Sequence, residues 1–217
     1  MAATGVNHPI FARFYARISR VVEDRGLAEH RRALLAGLCG QVIEVGAGNG
    51  LNFAHYPPTV TRVLAIEPEP RLRRLARAAA ERAPIPIEVS DGLAEHLPAA
   101  DGVFDAAVAS LVLCSLPDPH AALRQMRRVL GRGGQLRFLE HVRADSAGLV
   151  RVQDLLDATV WPRLAGGCHT GRDSAAAIRQ AGFTITALER FSFPAVRTPM
   201  SFFIRGTARP SAPGAAP

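Results

Sequence analysis

Gln41-Val-Ile-Glu-Val-Gly-Ala-Gly-Asn-Gly50 is the segment from which the architecture of this chain is most directly read. It opens with apolar, strand-forming residues and then breaks into glycines at positions 46, 48 and 50. A buried strand that runs into a glycine loop lets the backbone pass close to a bulky ligand. We therefore predict a strand over 41–46 followed by a ligand-binding loop.

A second predicted strand, 63–66, ends at Glu67 and Pro68. The acid lies about 20 residues beyond the loop, which suits a carboxylate that accepts hydrogen bonds from both hydroxyls of a ribose. Leu51 stands where a dinucleotide fingerprint would place its third glycine, the one that allows a close helix–strand approach around a pyrophosphate. The pattern therefore favours a nucleoside without a pyrophosphate and disfavours a nicotinamide dehydrogenase.

Length and composition describe one ordinary globular domain. The chain has 217 residues, of which 48% are hydrophobic and 21% are charged, and this length suits a single core. The three cysteines are far apart and form no Cys-x-x-Cys pair, which predicts a reducing setting and no structural metal site. No segment approaches the roughly 20 apolar residues of a membrane span, and no signal-peptide pattern is seen. We therefore predict a cytoplasmic protein without a bound metal.

The net charge of +7 comes entirely from arginine. Two clusters fall on predicted helices: Arg71, Arg73, Arg74 and Arg77, and Arg124, Arg127 and Arg128. Such charges usually occupy the solvated face of a helix, and an anionic membrane or an acidic partner is the alternative. Aromatic residues make up only 6% of the chain and are not interleaved with the arginines. We therefore expect no nucleic-acid partner.

The rest of the chain alternates between helical and extended patterns. Helices are predicted over 8–24, 27–39, 51–56, 69–82, 118–130, 147–160 and 172–181. Further strands are predicted over 85–90, 104–111, 135–142, 183–191 and 201–208, and a turn over 131–134. Alternation of this kind predicts one doubly wound α/β domain with a mostly parallel, seven-stranded sheet and helices on both faces.

We divide the chain into an N-terminal helical extension (1–40), the α/β domain (41–208) and a disordered tail (209–217). The two N-terminal helices are expected to pack on the domain as a lid, and a membrane-surface contact is the alternative. In an open α/β sheet, ligands bind beyond the carboxyl ends of the strands. This rule brings five segments to one crevice: 46–50, 67–68, 91–95, 110–115 and 140–141.

The middle of the chain resembles class I S-adenosylmethionine (SAM) methyltransferases. The Glu-x-Gly-x-Gly-x-Gly pattern over 44–50 and the acid at 67 resemble their first two motifs. The segment 94–105 resembles one of the ubiquinone-biosynthesis type, and 129–134 resembles the turn before the fifth strand of the superfamily. A narrower resemblance is to the methyltransferase-like 7A and 7B branch of animals and its bacterial relatives. It rests on 50–53, 56–58, 111–115, 140–142, Gln153, Asp157, Trp161, Gly167, Cys168 and Arg172.

The resemblance implies transfer of a methyl group from SAM to a small, fairly apolar acceptor, most directly a thiol. Animal members of this branch methylate alkyl thiols and are anchored through an apolar N-terminus, and we do not carry the anchor over to this chain. Methylation of a quinone-precursor carbon or a phospholipid amine remains an alternative, as does a non-catalytic SAM-binding protein. We expect no obligate protein partner and leave open a peripheral membrane contact through the N-terminal helices.

The resemblance also implies a set of cofactor-binding residues. Those around the methionine part of SAM are Glu44, Gly46, Ala47 and Gly48. Glu67 takes the ribose hydroxyls with Pro68 beside the adenine, and the adenine is flanked by Gly92, Leu93 and Ala94. Many relatives have Asp where this chain has Leu93, so Asp91 or a backbone carbonyl accepts from the adenine amino group here. The site is closed by Ser110 and Leu111.

A sulfonium methyl is already activated, so the protein must align the nucleophile, exclude water and dispose of a proton. Thiols are strong nucleophiles that are partly ionised at neutral pH, and their methylation can proceed without a dedicated base. Where a base is needed, His141 is the first candidate because Glu140 lies beside it and is expected to orient it. His169 is the second candidate. The alternatives are structural histidines and a Glu140 bonded to backbone.

Overall fold

A computed structural model describes residues 6, 8–159, 161–194 and 198–211 of the protein. Its strands are β1 (Gly40–Val45), β2 (Val60–Ile66), β3 (Ile87–Ser90), β4 (Phe104–Ser110), β5 (Leu130–His141), β6 (Phe183–Ser192) and β7 (Phe202–Pro210). They form one sheet in the order β3-β2-β1-β4-β5-β7-β6. Strand β7 runs antiparallel to both of its neighbours, and the other pairs are parallel. This confirms the predicted mostly parallel sheet.

The helices are α1 (Pro9–Val22), α2 (Ala28–Leu35), α3 (Pro70–Ala80), α4 (Pro119–Val129), α5 (Ala147–Ala158), α6 (Trp161–Leu164) and α7 (Ser174–Gln180). Three of them begin at an acidic side chain that accepts from a backbone N–H of the first turn: Glu69, Asp118 and Asp173. These acids satisfy donors that a helix start leaves without partners. Within the described residues, no helix is both long and apolar enough to cross a membrane.

The sheet is covered on both faces, because successive strand side chains point to opposite sides. On one face, Leu139 belongs to a buried cluster with Leu34 and Leu38 of the N-terminal helical region and Ala76 of α3. On the other face, Phe138 belongs to a second cluster, which includes side chains of α4 and α7. The doubly wound arrangement follows from these two apolar layers.

Several segments differ from prediction. The two N-terminal helices meet at a kink, where Gly26 has a φ of 118° that favours glycine. The segment 51–56 contains only the 3₁₀ turn Phe53–His55. The residues 131–134 form an irregularity inside β5, because the pairing with β4 shifts between Leu130 and Gln135. Strand β7 reaches Pro210, and the expected disorder of 212–217 lies outside the described residues.

Candidate active site

The carboxyl ends of five parallel strands meet at one edge of the sheet. Val45 pairs with both Ile66 and Ala109, and Ser110 pairs with Leu139, so these strand ends lie side by side. The third strand joins them because its Ser90 pairs with Ile66. The five segments that were expected to form a crevice therefore do lie at one edge.

The glycine loop after β1 is wedged between its neighbours. The N–H groups of Gly46 and Ala47 both donate to the carbonyl of Ile66, at 2.9 and 3.0 Å. Gly46 has a φ of 72°, and a Cβ added there would lie 2.3 Å from Val112 Cγ2. Gly48 has a φ of 58°, and its Cβ would lie 3.3 Å from the ring of Tyr15. Glycine is therefore required at 46 for space as well as for backbone conformation.

Glu67 is buried at the end of β2 beside this loop. Its carboxylate accepts from the backbone N–H of Gly48 at 2.7 Å and of Glu69 at 2.9 Å. Burial raises the pKa of Glu67 to about 7, although these two hydrogen bonds favour the charged form. Each carboxylate oxygen accepts more than one hydrogen bond. The position and chemistry of Glu67 therefore fit a ligand with a pair of hydroxyls.

The segment after β3 packs closely against β2. A Cβ on Gly92 would lie 3.0 Å from Ile66 Cγ2, and Ala94 is buried. Asp91 accepts from Arg73 Nη1 at 3.0 Å, and the same guanidinium donates to the carbonyls of Glu67 and Pro68. Arg73 thus braces the ends of β2 and β3. A contact of Asp91 or Leu93 with adenine stays a prediction.

Glu44 lies within the protein and is held by side chains that follow the glycine loop. It accepts from Asn52 Nδ2 at 2.9 Å and from the Tyr56 hydroxyl at 2.7 Å. Burial raises its pKa to about 7. Both oxygens therefore hold the 52–56 segment against β1, and contact of Glu44 with a cofactor stays a prediction.

Arg31 of α2 is a site residue that sequence reasoning missed. Its Nε donates to Glu23 at 2.8 Å, and its Nη1 donates to Asn52 at 2.9 Å and to Ser110 at 3.0 Å. The side chain is buried and ties the N-terminal helices to the ends of β1 and β4. The sequence did contain a signal for this buried arginine. Arg31 falls at helical spacing on the same face as Leu27, Leu34 and Leu38, which is otherwise apolar.

Helix α1 covers the glycine loop. The Tyr15 ring lies over Gly48, and Asn49 Nδ2 donates to Ser19 Oγ at 3.1 Å. Burial raises the pKa of the Tyr15 phenol, which therefore stays protonated at neutral pH. These contacts place α1 against the glycine loop, and its action as a lid over a ligand stays a prediction.

The turn after β4 is strained and is held by Glu140. Leu111 has a φ of 58°, an unusual conformation for a bulky residue. Glu140 then accepts from the N–H groups of Val112 at 3.1 Å, Leu113 at 3.0 Å and Cys114 at 3.4 Å. Burial raises the pKa of Glu140 to about 7. This acid therefore supports the loop that follows β4, and closure of the site by Ser110 and Leu111 stays a prediction.

The expected orientation of His141 by Glu140 is wrong. Consecutive strand residues point to opposite faces, and Glu140 is directed at the 112–114 backbone. The His141 ring instead packs edge-to-face on Phe203 at a centroid distance of 5.3 Å. Burial lowers the pKa of His141 to about 4, although hydrogen bonding to the backbone of Met200 and Pro199 favours the charged ring. His141 is therefore a neutral, buried imidazole in an aromatic setting.

The loop between α6 and α7 is fastened from both sides. Asp157 accepts from the N–H of Thr170 at 2.6 Å and of Gly171 at 2.8 Å. The fully buried Gln153 donates to the carbonyl of Thr170 at 2.9 Å. On the other side, Arg172 donates to the carbonyl of Leu113 at 2.7 Å. Residues of the narrower resemblance thus hold this loop against the loop after β4.

Two thiols and the second candidate base meet where these loops touch. Cys114 and Cys168 have their Sγ atoms 3.6 Å apart. His169 donates its backbone N–H to the carbonyl of Cys114 at 2.9 Å, while its Nδ1 lies 2.8 Å from the carbonyl of Gly167. One ring nitrogen of His169 is thus engaged by its own loop, and a role as base stays a prediction. Among the described residues, no cluster of His, Cys, Asp or Glu is suited to a metal ion.

Known proteins resemble this chain in sequence. The family described as methyltransferase domain matches residues 43–138, which run from β1 to β5. Thiol S-methyltransferase TMT1A of Homo sapiens is 35% identical over 85% of this chain and 79% of its own length. Thiol S-methyltransferase TMT1B of Homo sapiens is 30% identical over 96% of this chain and 91% of its own length.

Solved structures resemble it in fold. A SAM-dependent methyltransferase from Thermotoga maritima superposes with a TM-score of 0.68 and 22% identity, covering 92% of this chain and 97% of that one. At this identity the likeness concerns the fold alone. It agrees with the doubly wound α/β fold described above.

Proposed function

The chain belongs to the SAM-dependent methyltransferases, and we propose that it methylates a small, fairly apolar thiol on sulfur. The thiol class is supported by the 35% identity to a thiol S-methyltransferase over most of that protein's length. The structural observation that supports an apolar acceptor is the buried, neutral His141, whose ring packs edge-to-face on Phe203. An apolar thiol suits such an environment because it brings no charge that needs solvation.

The residues at the crevice fit SAM as a ligand. Bound SAM supplies a methyl group already activated by its sulfonium charge. We propose that Glu67 accepts the ribose hydroxyls, that Gly46–Gly48 lie along the methionine part and that Gly92–Ala94 flank the adenine. Tyr15 covers the loop from above and excludes water from the same region.

Proton loss from the acceptor needs little help from the protein. A thiol with the acidity of free cysteine has a pKa near 8.5, so about a few per cent of it is thiolate at neutral pH. His141, with a pKa of about 4, is a weak base that can still accept a hydrogen bond from S–H. We propose that His141 accepts a hydrogen bond from the acceptor S–H and so positions the sulfur, and that the proton passes to solvent. Bound SAM would supply the methyl group to the thiolate sulfur, and the electron pair of the broken carbon–sulfonium bond would stay on S-adenosylhomocysteine, the leaving group.

The test is a mass-spectrometric assay of the full chain with SAM and a mixed acceptor panel. The panel holds alkyl and aryl thiols, hydrogen sulfide, a demethylated quinone precursor and phosphatidylethanolamine. Methylation of thiols alone is the expected result. Methylation of the quinone precursor or the lipid, but of no thiol, would contradict the proposal that the acceptor is a thiol. SAM binding without any methylated product would favour the non-catalytic alternative.

Two variants then separate the histidines. His141→Phe keeps an aromatic ring, which is somewhat larger, but removes both nitrogens. We expect it to raise the KM for a thiol about tenfold, the effect of one lost hydrogen bond. His169→Phe is the matched control on the neighbouring loop. If His169→Phe loses kcat while the kinetic constants of His141→Phe stay at the wild-type values, the role in handling the acceptor belongs to His169 and not to His141.

A further inference from the structure

The outer face of α1 presents an apolar stripe to solvent. Ile10, Phe14, Ile18 and Val21 recur at helical spacing and are 84%, 59%, 44% and 47% exposed. Scattered exposed apolar residues are common on soluble proteins, but a continuous row marks a surface that meets a partner. This exposed apolar stripe therefore indicates a binding surface.

Arginines adjoin the stripe. Arg13, Arg17 and Arg20 alternate with the apolar residues along α1, and Arg71 of α3 lines the same open depression as Ile10 and Phe14. The sequence of α1 contains no Asp or Glu. The face thus combines large apolar side chains with positive charge that its own helix does not neutralise.

The opposite face of α1 holds this stripe outward. Ala12 and Ser19 are buried, Tyr15 packs on Gly48, and Ser19 accepts from Asn49. Rotation of the helix to bury the stripe would break these contacts with the glycine loop. The exposed stripe is therefore a fixed property of the folded protein.

We propose that this face of α1, together with Arg71, docks on the surface of an anionic lipid bilayer. The apolar side chains enter the boundary between headgroups and acyl chains, and the arginines pair with lipid phosphates. A second copy of the chain is a poorer occupant because it would bring two rows of arginine together. The proposal does not depend on which acceptor is methylated.

The test is flotation of the full chain with vesicles of phosphatidylglycerol and phosphatidylcholine, compared with phosphatidylcholine alone. Wild type is expected to float with the anionic vesicles, and binding should weaken with salt. Phe14→Ser should lower the partition coefficient at least about tenfold. The double variant R13Q/R17Q should lower the partition coefficient about thirtyfold, since each arginine near an anionic surface contributes a factor of about five.

Matched controls lie on elements other than α1 and α3. Leu155→Ser on α5 removes an apolar side chain that is 65% exposed, and R124Q/R132Q removes two charges from a second arginine-rich surface. Both controls should float like wild type, and circular dichroism should show all variants folded. Absence of wild-type flotation, equal losses in the controls, or a dimer that Phe14→Ser dissociates without any vesicle binding would each overturn the proposal.

Discussion

Three buried glutamates at or near strand ends carry most of the local chemistry of the crevice. Glu44, Glu67 and Glu140 each have a pKa raised to about 7, with burial as the largest cause. Their partners differ: Glu44 binds side chains, Glu140 binds three consecutive backbone N–H groups, and Glu67 binds the backbone of the glycine loop. Of these three glutamates, only Glu67 therefore contacts the glycine loop, the segment whose backbone can approach a ligand closely.

Glu67→Gln is expected to weaken SAM binding about tenfold or more, because hydrogen bonds from hydroxyls to a charged acceptor are lost. Wild-type affinity should also fall as the pH drops through about 7, where this carboxylate becomes protonated. Isothermal titration calorimetry between pH 6 and 8 measures both effects. Glu44→Gln is the control that should keep the pH dependence. An unchanged affinity in Glu67→Gln would remove the ribose assignment.

Gly46→Ala tests the close approach at the glycine loop. The new Cβ would meet Val112 Cγ2 at 2.3 Å, and the φ of 72° adds backbone strain, so we expect a loss of about 3 kcal/mol in the free energy of unfolding. Gly133→Ala is matched in backbone conformation, with a φ of 82°, but has nothing within 4 Å of the new Cβ. It should lose only about 1 kcal/mol. Similar losses in urea denaturation would refute the steric argument.

At the scale of elements, the N-terminal helices are fastened to the sheet by polar contacts as well as by apolar packing. Arg31 reaches both Asn52 and Ser110, and Ser19 meets Asn49. The loop after α6 is fastened in the same way, by Asp157 from one side. These connections make the walls of the crevice depend on helices that are remote from it in sequence.

Arg31→Met is expected to destabilise the protein by about 2 kcal/mol, because Asn52 and Ser110 lose a buried donor and Glu23 loses its arginine partner. Helices α1 and α2 should also loosen, which limited proteolysis would detect as faster cleavage before residue 40. Arg32→Met, at an exposed position of the same helix, is the control and should change neither property. Equal sensitivity of both variants would contradict the connecting role of Arg31.

At the scale of the whole molecule, the buried acids and His141 set opposing pH dependences. A glutamate with a folded pKa of about 7 binds a proton in the folded state before it does so in the unfolded chain, where its ordinary value is 4.5. Stability from these groups therefore rises as the pH falls below about 7. His141, with a folded pKa of about 4 and an ordinary value of 6.5, lowers stability as the pH falls through the same range.

Since three glutamates oppose one histidine, we expect the thermal midpoint to be higher at pH 6.5 than at pH 7.5. Differential scanning calorimetry at constant ionic strength measures this difference. Glu44→Gln removes one contributing acid and should reduce this difference. His141→Phe removes the opposing group and should raise the midpoint relative to wild type as the pH falls below 6.5. A midpoint that falls steadily from pH 7.5 to 6.5 would contradict the assigned directions.

Local patterns in the chain were sufficient for the fold class, the strand ends and the glycine loop. Apolar periodicity, the glycines at 46–50 and the acid at 67 all report on neighbouring residues, and neighbours in sequence largely set backbone conformation. The turn expected over 131–134 lies inside β5: these four residues have no partner in β4, and pairing resumes at Gln135. The prediction placed the start of the strand after this turn because Leu130 pairs with Phe104 only in the folded sheet.

Contacts between distant residues depended on the folded arrangement. Arg31 and Ser110 lie 79 positions apart, and Glu140 reaches back 28 positions to Val112, so no local pattern names these partners. The direction of Glu140 away from His141 and the lowered pKa of His141 likewise follow from strand alternation and burial. A buried polar group needs a hydrogen-bond partner. Which residue becomes that partner depends on how the strands and helices pack, and therefore not on the local sequence around the group.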